Sequence, residues 1–204
     1  MSSELNPDRS ALWRLGDVVA VLFLAIAIAE TYFCYGDITY YLENHLFEWS
    51  QDLFLYMGAV LFFIASARAH DRVAQLSLLA LTMFCLSILF REMDVRGTNL
   101  DAYLDYAFQH RWHYAFLGVL WITIFILSLR HLRLSFLFML RWLLGATGVL
   151  MVAGIFFYVM GDVAEKHFLT GDPNISEMIE ESMEQFGTLF IGFSGWLTLR
   201  RRPR

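Results

Sequence analysis

The sequence is poor in the residues that punctuate a soluble domain. It holds three prolines and two cysteines in 204 residues. Alternation is weak and β-turn punctuation sparse, which argues against a β-barrel. Both cysteines, Cys34 and Cys85, fall inside apolar runs, so they are expected to pack rather than to form a disulfide or redox pair. Charge is scarce, at 17% of residues. There is no internal repeat, no low-complexity stretch and no linker long enough to separate a second domain, so residues 1–204 are expected to form one domain. Six histidines are present, but none lies well inside two apolar runs, which excludes a buried b-type haem. No His-Glu-x-x-His metal motif occurs, and nothing indicates nucleic-acid binding.

What is present is apolar. Hydrophobic residues make up 58% of the chain and aromatics 17%. One soluble core of this size cannot hide that much apolar surface. The apolar residues fall in six runs, near 18–35, 53–69, 73–90, 113–129, 142–160 and 186–199. A hydrocarbon layer of ~30 Å needs about 20 helical residues. The expected fold is therefore all-α and polytopic, with about six transmembrane helices near 15–36, 51–69, 73–91, 113–130, 138–161 and 182–199. The expected partner is the lipid bilayer. Ala27-Ile28-Ala29 resembles a signal-peptidase site, but Glu4, Asp8 and Asp17 precede it, which favours a retained signal anchor.

Arginine sets the expected orientation. If the spans alternate, eleven of the fifteen basic residues fall on one side: Arg9, Arg14, Arg68, Arg72, Arg130, Arg133, Arg141, Arg200, Arg201, Arg202 and Arg204. Short arginine-rich loops stay in the cytoplasm, so both termini are expected there, in a cell inner membrane. Sixteen of the twenty acids fall on the other side. Its charge is 4 − 16 = −12, against 11 − 4 = +7 inside. A solvated outer face accounts for that asymmetry, as does a field that gathers cations.

The outer loops carry their own signals. Leu100, Tyr103, Leu104, Ala107 and Phe108 recur at helical spacing, and Thr98 with Asp101 resembles a capping box. A short interfacial helix in this loop is expected. Asn174 can cap the helix that leads into the sixth span, and Asn174-Ile175-Ser176 is a glycosylation sequon. Trp49, Tyr40, Tyr41 and Trp112 suit an outer aromatic belt, and Trp13, Trp142 and Trp196 an inner one.

Carboxylates lie at unexpected depths. Arg14 to Glu30 and Arg200 to Glu184 are each sixteen residues, about 24 Å of helix. Both glutamates then lie inside the outer third of the hydrocarbon layer. By the same rise, Glu92 and Asp162 reach its outer boundary, about 30 Å and 32 Å from Arg72 and Arg141. Glu181 sits one turn above Glu184 on the same face. A charge at the bilayer centre costs at least ~2.5–3.5 kcal/mol and is turned inward, paired, protonated or bound to an ion. The candidate site is thus an outward-opening acidic pocket lined by Glu30, Glu92, Asp94, Asp162, Glu181 and Glu184, with Arg91 and His113 as basic partners. The competing expectation is a set of ion pairs tying spans together, for example Arg91 with Glu30 or Glu184.

Adjacent carboxylates raise one another's pKa and suit acid–base work. With a histidine they also suit a divalent metal. Glu92, Asp94, His110, His113, Glu181 and Glu184 are the candidate ligands. The pocket would bind a cation or a polar lipid-derived ligand. A metal-dependent membrane hydrolase, a proton- or cation-coupled transporter and a non-catalytic assembly protein are the alternatives.

Several family patterns bear on these. Glu180-Glu181-Ser182-Met183-Glu184-Gln185 resembles the paired-glutamate motif of intramembrane CAAX-type proteases. Gln185 stands where that family has arginine, and no histidine motif follows. Gly192-Phe193-Ser194-Gly195 resembles the rhomboid-protease nucleophile motif, again without a following histidine. The ceramidase-like hydrolases are the nearest enzyme resemblance, although His110 and His113 are spaced differently from that family's pair. Phe90-Arg91-Glu92-Met93-Asp94, Gly161-Asp162 and Glu180-Glu181-x-x-Glu184 together resemble a pattern in uncharacterised bacterial multi-pass inner-membrane proteins. That resemblance implies an envelope location and singles out the same acids.

Overall fold

The computed structural model describes residues 46–92, 112–165 and 173–200, together with positions 17, 21, 24–26, 28 and 29 of the first apolar run. Glu30, Asp94, His110, Cys34 and the expected interfacial helix near 98–112 lie outside the described residues. No strand occurs among the described residues. The main helices are α1 (Leu46–Arg68), α2 (Arg72–Glu92), α3 (Trp112–Ser128), α4 (Leu132–Leu143), α5 (Ala146–Glu165) and α6 (Pro173–Arg200). The described positions of the first run are also helical.

Helix ends follow local chemistry. α1 carries Glu48 in its first turn and Arg68 in its last, charges that suit the helix dipole. It turns into α2 through a tight loop. There the Asp71 carboxylate accepts the Ala74 N–H at 3.0 Å, an N-cap bond that satisfies one orphan donor. The Ser66 hydroxyl donates to the Gln75 carbonyl across the turn at 2.8 Å.

The boundaries differ from expectation between 129 and 145. A single 3-10 turn (Leu129–His131) follows α3, and His131 leaves helical geometry at φ −124°, ψ 15°. Residues 138–143 then belong to α4, and the next long helix starts only at Ala146. The physical reason lies in the spacing of Arg133 and Arg141, which leaves a helix apolar on one side and charged on the other. Such a helix suits the edge of an apolar layer rather than its middle.

Four helical stretches are long and apolar enough to cross a membrane: Glu48–Arg68, Arg72–Arg91, Trp112–Leu143 and Ala146–Ala164. α6 is 28 residues long, about 42 Å, but more polar. Its position explains how that is tolerated: it lies between α5 and α1 and packs closely on both. A Cβ on Gly154 of α5 would stand 2.7 Å from the Gly187 carbonyl oxygen of α6, and one on Gly187 2.8 Å from that of Gly154. Two facing glycines permit this crossing, the small-residue packing that draws helices together where no hydrophobic force does.

The chain is apolar outside and mixed inside. Phe116, Val119, Ile122, Phe125 and Ile126 of α3 are exposed, as are Val149, Val152, Phe156 and Val159 of α5. Ser50, Gln51, Thr82, Thr147, Glu184, Gln185, Thr188 and Ser194 are buried. Exposed apolar surface on this scale requires a covering phase. The structure is thus compatible with an integral membrane protein. The core joins Leu55, Ala59 and Phe62 of α1, Leu78, Leu81 and Cys85 of α2, Met151 of α5 and Ile191 of α6. Cys85 is a fully buried free thiol, in keeping with a packing role. Trp142 packs edge-on to Phe62 at 6.0 Å and donates to the Thr198 hydroxyl at 3.2 Å. Trp196 is not a belt residue: it is only 7% exposed, because α6 is the inner helix of the group.

Candidate functional site

The helices run so that one end of the bundle gathers Arg68, Arg72 and Arg200, and the other gathers Glu48, Arg91, Asp162, Glu181 and Glu184. The second, acid end is built on α6. Glu177, Glu180, Glu181 and Glu184 recur every three or four residues along it. Such spacing keeps them within about a third of the helix circumference.

Glu181 and Gln185 face α1. The Gln51 amide donates to Glu181 Oε2 at 2.7 Å and to its backbone carbonyl at 3.3 Å. The Gln185 amide donates to the Ser50 hydroxyl at 3.3 Å. Gln51 is only 1% exposed. Two adjacent residues of α1 therefore zip onto two residues of α6 one turn apart. An amide facing a carboxylate is a charge-assisted bond, about twice as strong as a neutral one.

Glu184 faces α5. It is 6% exposed and lies over Gly161. A Cβ at position 161 would fall 2.5 Å from Glu184 Cγ and 3.2 Å from its Oε1. A glycine at this point is what lets the carboxylate side chain enter between the helices.

The next residue of α5 makes an ion pair at the acid end. Arg91 of α2 donates to Asp162 Oδ1 at 2.8 Å and to Oδ2 at 3.4 Å. The guanidinium also sits 5.0 Å over the Tyr158 ring, a favourable cation–π position. His113 of α3 stacks on Tyr114 at 4.0 Å and beside Phe90 at 6.1 Å.

Of the expected site residues, the structure pairs Arg91 with Asp162 and sets Glu184 against the glycine next to Asp162. Glu181 turns to α1, and His113 packs beside Phe90 near this end. Glu92 closes α2, but its side chain, like Glu30, Asp94 and His110, lies outside the described residues. Asp162 is a partner of Arg91. Among the described residues no group of three or more His, Cys, Asp or Glu is placed to hold a metal ion. The sequence alone did not single out Ser50, Gln51 and Tyr158, and it met Gln185 and Gly161 only within family patterns. Gln51 carries a legible signal: it stands seventeen residues from Arg68, about 26 Å of helix, at the height of the acids.

No protein-family model, no curated protein and no solved structure matches this chain.

Proposed function

We propose that the chain is an inner-membrane protein of six spans with both termini in the cytoplasm, and that its acid end faces the periplasm. The spans are the first apolar run, α1, α2, α3, α5 and α6, with α4 lying along the cytoplasmic surface. The acid end binds a cation, either free or as the amine of a polar lipid headgroup. The observation that supports this reading is Glu184, a buried carboxylate about 24 Å along α6 from Arg200. Among the described residues this end also gathers Glu48, Asp162 and Glu181 against Arg91, and such an excess of negative charge attracts cations. The Ser50 hydroxyl and Gln51 amide of α1 and the Gln185 amide of α6 itself supply further polar lining.

The test is thermal unfolding of the detergent-purified protein in chloride salts of Na⁺, K⁺, Mg²⁺, Ca²⁺, Mn²⁺ and Zn²⁺ at fixed ionic strength, beside nanodiscs with and without phosphatidylethanolamine. A ligand at a hundredfold its Kd stabilises by about 2.7 kcal/mol. The expected result is selective stabilisation by one cation, or by the amine lipid, that disappears in Glu184→Gln. Equal curves in all salts and both lipids would refute the reading.

A second reading has its own support. Asp162 is paired with Arg91 and Glu181 with Gln51, the arrangement expected if the acids tie helices together in an assembly protein. That reading expects Glu184→Gln to shift stability equally in every salt. A transporter reading gains nothing comparable, because Leu55, Phe62, Leu81, Met151 and Ile191 fill the core towards the basic end.

A further inference from the structure

The fourth side of the bundle differs from the other three. α5 packs on α6, α6 on α1 and α1 on α2, whereas the α2 and α5 backbones scarcely meet. At the basic end α4 closes the gap, since it touches both helices. Midway the gap is filled by side chains, with Met151 of α5 and Leu81 and Cys85 of α2 in one apolar cluster. At the acid end, among the described residues, Arg91 crosses the gap, through its bond to Asp162 at 2.8 Å and its seat over Tyr158.

We infer that the seam between α2 and α5 is a lateral gate at the acid end, latched by the Arg91 side chain on Asp162. The other three sides are helix on helix, and separating them means unpacking whole faces. Opening the seam at this end requires release of the Arg91 side chain, whose ion pair with Asp162 is already partly exposed, 48% for Arg91 and 32% for Asp162. An exposed pair of this kind is weak enough to break and re-form. Release opens the acid half of the bundle interior sideways, towards whatever covers the exposed apolar faces of α3 and α5. The gate stands on the packing of α2 and α5 and does not depend on what Glu184 binds.

Cys85 is a built-in reporter. It is fully buried behind the seam, six residues and about 9 Å along α2 from Arg91. The experiment is the rate of its modification by methyl methanethiosulfonate in a Cys34→Ser background, read by mass spectrometry in nanodiscs. Arg91→Ala and Asp162→Asn are each expected to raise that rate roughly fivefold, the population shift that loss of a weak ion pair produces. The charge-swapped pair Arg91→Asp with Asp162→Arg returns it to the starting rate. A second reporter, Ala74→Cys with Cys85→Ser, sits buried at the basic end of α2 and stays protected. Unchanged Cys85 rates in both single variants would overturn the gate. So would equal acceleration at both reporters, because that is general loosening. If Arg91→Ala does not accumulate, Asp162→Asn and Arg91→Lys decide the matter by the same two rates.

Discussion

Adding one methyl group at Gly161 tests whether Glu184 is held where the structure places it. The new Cβ would stand 2.5 Å from Glu184 Cγ, against an ordinary carbon–carbon contact of about 3.5–4.0 Å. About an ångström or more must be recovered, and Cγ cannot retreat without moving the carboxylate out of its seat. Overpacking of this kind costs about 1–3 kcal/mol, and the helix-propensity gain from glycine to alanine returns about 0.8–1.0 kcal/mol. The net change for Gly161→Ala is a loss of up to about 2 kcal/mol. Gly118→Ala on α3 is the control, because nothing lies within 4 Å of a Cβ there, and it keeps the propensity gain alone. The assay is reversible unfolding in mixed detergent–SDS micelles, followed by tryptophan fluorescence. Glu184→Ala removes the clashing carbon, so the Gly161→Ala/Glu184→Ala cycle should show a coupling of about 1–2 kcal/mol. Gly161→Ala behaving like Gly118→Ala would refute this seating of Glu184, as would additivity of the two changes to within about 0.5 kcal/mol.

Two further outcomes are expected. Gly187→Leu forces α5 and α6 apart at a point where even a Cβ lacks room; it should cost at least about 3 kcal/mol by the upper end of overpacking losses, seen as a lowered SDS midpoint. Asp71→Ala removes the cap on the Ala74 N–H and should cost about 1 kcal/mol in the same assay, with Asp71→Asn nearly neutral.

Heights were legible in the sequence and azimuths were not. Helix rise from Arg200 puts Glu184 at the acid end, and rise from Arg72 puts Arg91 there, where the structure pairs it with Asp162; the count from Arg141 to Asp162 does not hold, because Arg141 belongs to α4 and α5 starts only at Ala146. Which way each side chain points around its helix depends on packing, so the bond from Arg91 to Asp162 could not be read from spacing. Gln51 escaped notice because a neutral amide at depth carries no insertion penalty as conspicuous as a charge. The stretch 131–137 between the expected spans misled for another reason. Arginines marked it as a loop, whereas three or four residues per turn place its apolar side chains on one face and make it a helix. Trp196 was assigned to a belt by its position near the chain's basic end; burial at the centre of the bundle is a tertiary property with no local signature.

The polarity of α6 bears on how the protein is made. A helix carrying Glu177, Glu180, Glu181 and Glu184 in its first half partitions poorly into lipid by itself, since each charged residue weighs against insertion. Both helices that cover it, α1 and α5, precede it in the chain. In the proposed topology they already stand in the bilayer when α6 emerges from the ribosome. Gln51 and Gly161 are then a waiting berth for its carboxylates, and the order of translation becomes one of the conditions that let so polar a helix cross.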